Sequence, residues 1–220
     1  MRKGESLYFT QAELEVMLEL SGGCAIYRVG PPPDDTALTQ AFASLYQRGF
    51  LSRKSRAFLP DQKGLLFREL CAAPLALVLT ARFPYERTAI CYAGGGIIWI
   101  AETVRTAVRQ EVRLRRMERR EWRDWLFDAG MLETPLLSRA DGAEFTALLA
   151  ADGGIPERGT VRLRLEKYQN GGNALGVYEI LDGVGARSVR IREGERETAE
   201  LYTAEALESL LDRALQKGQL

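Results

Sequence analysis

Twelve residues, Val104 to Arg115, alternate without a break. Val104, Thr106, Val108, Gln110, Val112 and Leu114 form one set; Arg105, Ala107, Arg109, Glu111, Arg113 and Arg115 form the other. A period of two belongs to a β-strand with one face toward a core and one toward water. The expectation is a single long half-buried strand. Such a strand cannot stand alone; it needs neighbours and a cover for its apolar face.

Both are legible. Leu75, Leu77, Leu79, Ala81 and Phe83 alternate with Ala76, Val78, Thr80 and Arg82, and Thr88 to Ala93 and Ile97 to Glu102 flank Gly94-Gly95-Gly96. Later, Val161, Leu163 and Leu165 lead to Asn170-Gly171-Gly172-Asn173, a run that accepts the positive φ of a hairpin turn. Leu175, Val177 and Leu181 return, Asp182-Gly183 turns, and Val189 and Ile191 mark another strand. Apolar residues at helical spacing supply the cover. Leu66, Leu70 and Ala73 follow Asp61, and Trp122, Trp125, Leu126 and Ala129 end at Gly130. Phe145, Leu148 and Leu149 lie in a helix over 141–151, and Leu207, Leu210, Leu211 and Ala214 follow Thr203. Residues 61–130 and 141–217 thus share one order of helix, antiparallel meander and helix. The fold class expected is α+β: an antiparallel sheet with helices on one face, in quasi-twofold halves. The other sheet face is expected to be polar and partly exposed.

The first 60 residues differ. Thr10-Gln11-Ala12-Glu13 is a capping box before Leu14, Met17 and Leu18, and Gly22-Gly23 stops that helix. Cys24 to Val29 reads as a short strand, and Pro31-Pro32-Pro33 as a stiff linker. Asp34 or Asp35 caps a second helix with Leu38, Ala41, Phe42 and Leu45 on one face, ending at Gly49. Phe50-Leu51 and Ala57-Phe58-Leu59 flank a basic Ser52-Arg53-Lys54-Ser55-Arg56, a short ribbon. Helix, helix and two-stranded ribbon make a winged-helix-like segment. Three regions are expected: 1–60 winged-helix-like, 61–135 the first α+β half and 136–220 the second, in one continuous globular unit.

Function classes narrow by subtraction. The chain has no histidine, which removes Ser-His-Asp and Cys-His catalysis and most zinc sites. Cys24, Cys71 and Cys91 are too few and too scattered for a disulfide framework or a zinc pattern. After Gly94-Gly95-Gly96 come Ile97-Ile98-Trp99, without the Lys and Ser/Thr of a phosphate loop. The pairs Asp34-Asp35 and Asp124 with Asp128 sit at a cap and on a polar helix face, where nothing splits two carboxylate pKa values. No catalytic residue, cofactor or metal is expected, and the protein is read as no enzyme. No apolar h-region follows the first residues, and no apolar run approaches a membrane span, so a cytoplasmic place is expected.

Charge is balanced overall but uneven along the chain. Lys and Arg number 30, as do Asp and Glu, so no net field draws nucleic acid. Only five of the basic residues are Lys; the Arg excess fits base-composition bias, and it also fits protein interfaces. Arg105 to Arg123 holds eight Arg against Glu111, Glu118 and Glu121. Glu193, Glu195, Glu197, Glu200, Glu205, Glu208 and Asp212 weight the C-terminal part the other way. Paired or solvated charges explain this better than a nucleic-acid patch. The second helix, Asp35 to Arg48, carries Arg48 as its only cation, a weak base for DNA recognition.

The order of these elements, with "LYQRGFLSR" at the second helix end and the capped helix entering "APLALVLTARF", resembles the EspG-type proteins of bacterial ESX (type VII) secretion. The resemblance implies a quasi-twofold α+β sheet protein that binds secretion substrates in the cytoplasm and keeps them soluble. The function expected is a protein-binding factor, a secretion chaperone or adaptor holding another protein without catalysis. The alternative is a winged-helix DNA-binding regulator with an α+β sensing domain. The contact surface expected is the polar sheet face: Arg105, Arg109 and Arg113 on one strand, Arg162 and Arg164 on another.

Overall fold

A computed structural model of the chain describes residues 6–23, 32–54, 57–82, 86–105, 110–136, 159–169, 172, 174–183 and 186–216. It divides into two compact units. The first comprises Met1–Pro74, Ala89–Glu118 and Asn170–Gly172; the second comprises Leu75–Thr88, Arg119–Gln169 and Asn173–Leu220. The expected strand over 24–29 and helix over 141–151 lie outside the described residues.

In the first unit β1 (Ser6–Phe9) leads into α1 (Gln11–Leu20). The capping box is present: Glu13 N–H donates to Thr10 Oγ1 at 3.1 Å, and Thr10 N–H donates to Glu13 Oε2 at 2.8 Å. Each such cap contributes about 1 kcal/mol by pairing helix-end N–H groups that have no partner in the helix. α2 (Asp35–Gln47) is capped by Asp34, whose Oδ1 accepts from Ala37 N–H at 2.7 Å. β2 (Leu51–Lys54) and β3 (Ala57–Pro60) pair as a separate two-stranded ribbon. α3 (Leu66–Cys71) starts four residues later than an Asp61 cap suggests. Residues 62–65 are turn, and a Cβ on Gly64 would lie 2.4 Å from the Phe50 carbonyl oxygen. Only glycine, with no Cβ, fits that close approach.

The sheet strands of this unit are antiparallel, in the order β1, β7 (Gln110–Glu118), β6 (Ile97–Arg105), β5 (Arg87–Gly94). Gly94 pairs with Ile97, and Gly95 and Gly96 have φ of 59° and 82°, so the glycine triplet is the tight turn expected of it. Two expectations are overturned. Residues 104–115 are not one strand: β6 ends at Arg105, β7 begins at Gln110, and these two residues face each other. The polar sheet face is also absent from β5 and β6. Ala89 to Ala93 and Ile98 to Glu102 are buried at every successive position, so both faces of these strands are covered. Strands buried on both faces lose the alternation that marks a half-exposed strand.

In the second unit the order is β4 (Leu75–Ala81), β8 (Thr160–Gln169), β9 (Ala174–Asp182), β10 (Arg187–Glu193), β11 (Arg196–Leu201), all antiparallel. Register puts Leu77, Leu79, Leu165, Tyr178, Ile180, Val189 and Ile191 on one face. α4 (Arg119–Asp128) buries Trp122, Trp125 and Leu126. α5 (Ala204–Leu215) is capped by Thr203 and buries Leu207, Leu210 and Leu211. Each such side chain fully removed from water contributes roughly 1.5–3 kcal/mol.

Candidate protein-binding surface

The five arginines expected to form a surface occupy unlike environments. Arg105 ends β6, exposed, on the same sheet face as Ala101 and Leu114. Arg113 is on β7, directly across from Glu102 and on the opposite face, so the two do not line up on one strand. The reason is the chain reversal between them. Arg109 lies outside the described residues. Arg113 Nη2 and Arg115 Nη2 both donate to Glu102 Oε2, at 2.9 and 2.6 Å. Burial opposes a charge at Arg113, yet the Glu102 carboxylate and the Tyr8 hydroxyl hold its pKa above the ordinary value.

Arg162 and Arg164 are both on β8, but a register irregularity between Val161 and Leu163 separates their roles. Arg162 is 8% exposed and donates to Glu133 and to Asp182 Oδ2, the latter at 3.3 Å. Arg187 completes this cluster, reaching Asp182 Oδ1 at 2.5 Å and Glu133 Oε2 at 3.0 Å, with its guanidinium 5.3 Å above the Tyr202 ring. Tyr202 Oη donates to the Glu133 carbonyl at 2.5 Å, so the segment after α4 is held on the sheet end. Arg162 is therefore committed to internal pairing.

Arg164 belongs to a charge ladder running across strands. Its Nε lies 2.7 Å from Glu166 Oε1 and its Nη1 is 3.4 Å from Glu179 Oε1. Arg190, on the other side of Glu179, donates through Nε and Nη2 to Oε2 at 2.8 and 2.5 Å. Register sets Arg164, Glu179 and Arg190 directly opposite one another on β8, β9 and β10. The ladder continues from Arg192 Nε to Glu197 Oε2, at 2.8 Å on β11. Glu179 is 4% exposed, while Arg164 and Arg192 are about half in water. Sequence reasoning singled out Arg164 but not its partners Glu179 and Arg190, and counted Glu197 only toward the acidic C-terminal balance. The signal was there: acid and base at matching positions of consecutive strands, readable only once register is known.

The other side of this sheet holds a buried polar knot. Lys167 Nζ donates to the Arg213 carbonyl at 2.8 Å near the end of α5, and Tyr178 Oη lies 2.5 Å from Glu193 Oε1. Burial pushes Lys167 below its ordinary pKa despite Glu193 nearby; burial and Glu193 push Tyr178 far above its own. Lys167 thus satisfies an orphan carbonyl of the helix end. Arginines of α4 pair with acids of α5, one of the readings the sequence left open: Arg119 with Asp212 and Arg123 with Glu208.

In the first unit, Arg48 is tied to its own chain, although its side chain is 36% exposed. It donates to Glu13 Oε1 at 2.9 Å and to the Tyr8 carbonyl at 2.6 Å, and its guanidinium lies 4.9 and 5.1 Å from the Phe9 and Phe50 ring centroids. Arg48, the C-cap of α2, thereby spends its guanidinium on the protein itself. Among the described residues no group of three or more Cys, Asp or Glu could hold a metal ion, and no helix is long and apolar enough to cross a membrane.

No protein-family model matches the chain, and no curated protein matches it. A solved structure does: that of the Mycobacterium tuberculosis type VII secretion system chaperone EspG5 in complex with a PE25-PPE41 dimer. The match covers 98% of this chain and 99% of that one, with a TM-score of 0.52 and 11% identity. This chain has the fold of EspG5. The resemblance read from element order is borne out as a likeness of fold, spanning both units. At that identity the EspG5 likeness carries architecture and no residue roles.

Proposed function

We propose that this protein is a cytoplasmic protein-binding factor of the secretion-chaperone kind, which holds a substrate protein without catalysing a reaction. The observation that carries the reading is the end-to-end fold likeness to EspG5, whose solved structure is a complex with a PE25-PPE41 dimer. The missing histidine and the absence of nucleophile motifs support a role in holding rather than in chemistry. Two quasi-twofold α+β halves, 61–135 and 136–220, preceded in sequence by a winged-helix-like 1–60, belong to the same proposal.

Taken unit by unit, the arginines proposed for a partner are Arg105 and Arg109 in the first and Arg164 in the second; Arg113 is spent on Glu102, and Arg162 on Glu133 and Asp182. Of these, Arg164 combines an accessible guanidinium with a fixed register beside Glu166 and Glu179. A ladder of alternating charges presents forked donors and paired acceptors to a polar partner surface, which favours specificity over raw affinity. Tagged protein recovered from its native host at low salt should bring down one other protein in comparable amount. Arg105→Ser, Arg109→Ser and Arg164→Ser combined should reduce its recovery severalfold while the chain stays folded. Recovery of the chain with nucleic acid in place of a protein would instead establish the regulator reading.

A further inference from the structure

The strand that ends the second unit's sheet is unlike the others. β11 is exposed at every position from Arg196 to Glu200, and among the described residues no strand lies on its outer side. Its backbone arithmetic follows from register. Glu193 pairs with Arg196 across the two-residue turn Gly194-Glu195, with Gly194 at φ 60°. In such a hairpin the residues flanking the turn exchange both N–H···O bonds, and bonding then alternates. Arg196, Thr198 and Glu200 therefore point their backbone groups at β10. Tyr202 N–H, which donates to the Arg187 carbonyl at 2.9 Å, has the same parity. Glu197 and Ala199 point theirs outward, to water. An open row of this kind is a template for another strand.

The side chains say which strand. In an antiparallel pair of two β11 strands, residues with outward backbone groups must face one another. The register that uses Glu197 and Ala199 sets Glu197 of one copy opposite Ala199 of the other. It sets Thr198 opposite Thr198 on the twofold axis, and Arg196 opposite Glu200 twice. Glu197 carries its charge into this arrangement already held by Arg192. Glu200 has no ion-pair partner within the described residues, and the second copy's Arg196 supplies one. The neighbouring register, centred on Ala199, would need the Leu201 carbonyl, which already accepts from Thr203 N–H at 2.9 Å.

We propose that β11 is a self-association edge. Two copies of this chain join antiparallel through Glu197 and Ala199 backbone bonds, with reciprocal Arg196–Glu200 pairs and Thr198 at the axis. The contact is isologous, so it closes at a dimer instead of propagating. A single six-residue strand buries little area, and Glu195 and Glu205 bring like charge to both sides, so the dimer is weak and depends on concentration.

Sedimentation equilibrium of the full chain alone, over a wide concentration series, is the test. It uses no partner, so its outcome leaves the chaperone reading untouched. The wild-type chain should pass from monomer to dimer as concentration rises. Ala199→Pro removes an outward N–H without touching the β10 bonds and should weaken dimerisation by about tenfold or more. Arg196→Glu alone and Glu200→Arg alone should each weaken it, and the double variant should restore it, because the swap keeps the pairing reciprocal. Far-UV circular dichroism checks that each variant is folded. A wild-type chain that stays monomeric throughout overturns the proposal. So does a dimer indifferent to Ala199→Pro, or a double swap that fails to restore what the single swaps lose.

Discussion

Each unit buries one glutamate in its sheet between two arginines, and the two are wired differently. In the first, Glu102 on β6 takes both partners, Arg113 and Arg115, from a single strand, β7. In the second, Glu179 on β9 takes Arg164 from β8 and Arg190 from β10, in register on either side. Both carboxylates are nearly inaccessible, so both depend on their arginines to offset desolvation. The difference is in what the acid ties together. Glu102 joins two adjacent strands once; Glu179 stitches three.

The largest consequence falls at Glu179. Glu179→Ala leaves two arginines facing each other across the vacated strand and should destabilise the protein by about 3 kcal/mol, a broken buried pair softened by partly hydrated partners. Urea unfolding would read it. Glu102→Ala should cost less, about 1.5 kcal/mol, because Glu102 is less deeply buried than Glu179, 8% against 4% exposed, and draws both its arginines from one neighbouring strand. Equal losses at the two sites would break the comparison.

These glutamates also mark the limit of what sequence patterns reveal. The capping box at Thr10 and Glu13, the Thr203 helix and the glycine-triplet turn were legible because each is written in adjacent residues. The reversal between Arg105 and Gln110 was not, because the alternation of Val104 to Arg115 runs straight through it with no Gly, Pro or Asn to mark a turn. β11 escaped for the opposite reason. An edge strand wet on both faces, Arg-Glu-Thr-Ala-Glu-Leu, has no apolar alternation to show. Arg48 looked like a surface cation because nothing local announces that Glu13, 35 residues away, waits for it. Of the surface arginines, sequence could place charge on a strand but not the acids opposite it.

A smaller effect separates the units by pH. Lys167 sits below its ordinary pKa of 10.5, because burial disfavours its charge. Between its folded value and 10.5 the unfolded chain binds more protons, so stability should rise with pH in that window. Tyr178 sits above its ordinary 10.0, so past about pH 10 the unfolded chain binds fewer protons and stability should fall. Thermal unfolding across the alkaline range should show the rise vanish in Lys167→Met and the fall soften in Tyr178→Phe. The smallest effect is at the helix pair. Arg123→Ala breaks an exposed bridge to Glu208 and should cost less than about 0.5 kcal/mol, fading further in high salt. A salt-independent loss of more than that would mean α4 leans on charge and not on Trp122.

The most direct test of the central claim is to isolate the protein under native expression and weigh what it travels with, by light scattering behind size exclusion with identification of each chain. A holder of another protein should be recovered as a complex with one different polypeptide in fixed stoichiometry, and that partner should fall out of solution when this chain is removed. Isolation of this chain with copies of itself alone, and a proteome whose soluble fraction is unchanged by its loss, would contradict the claim.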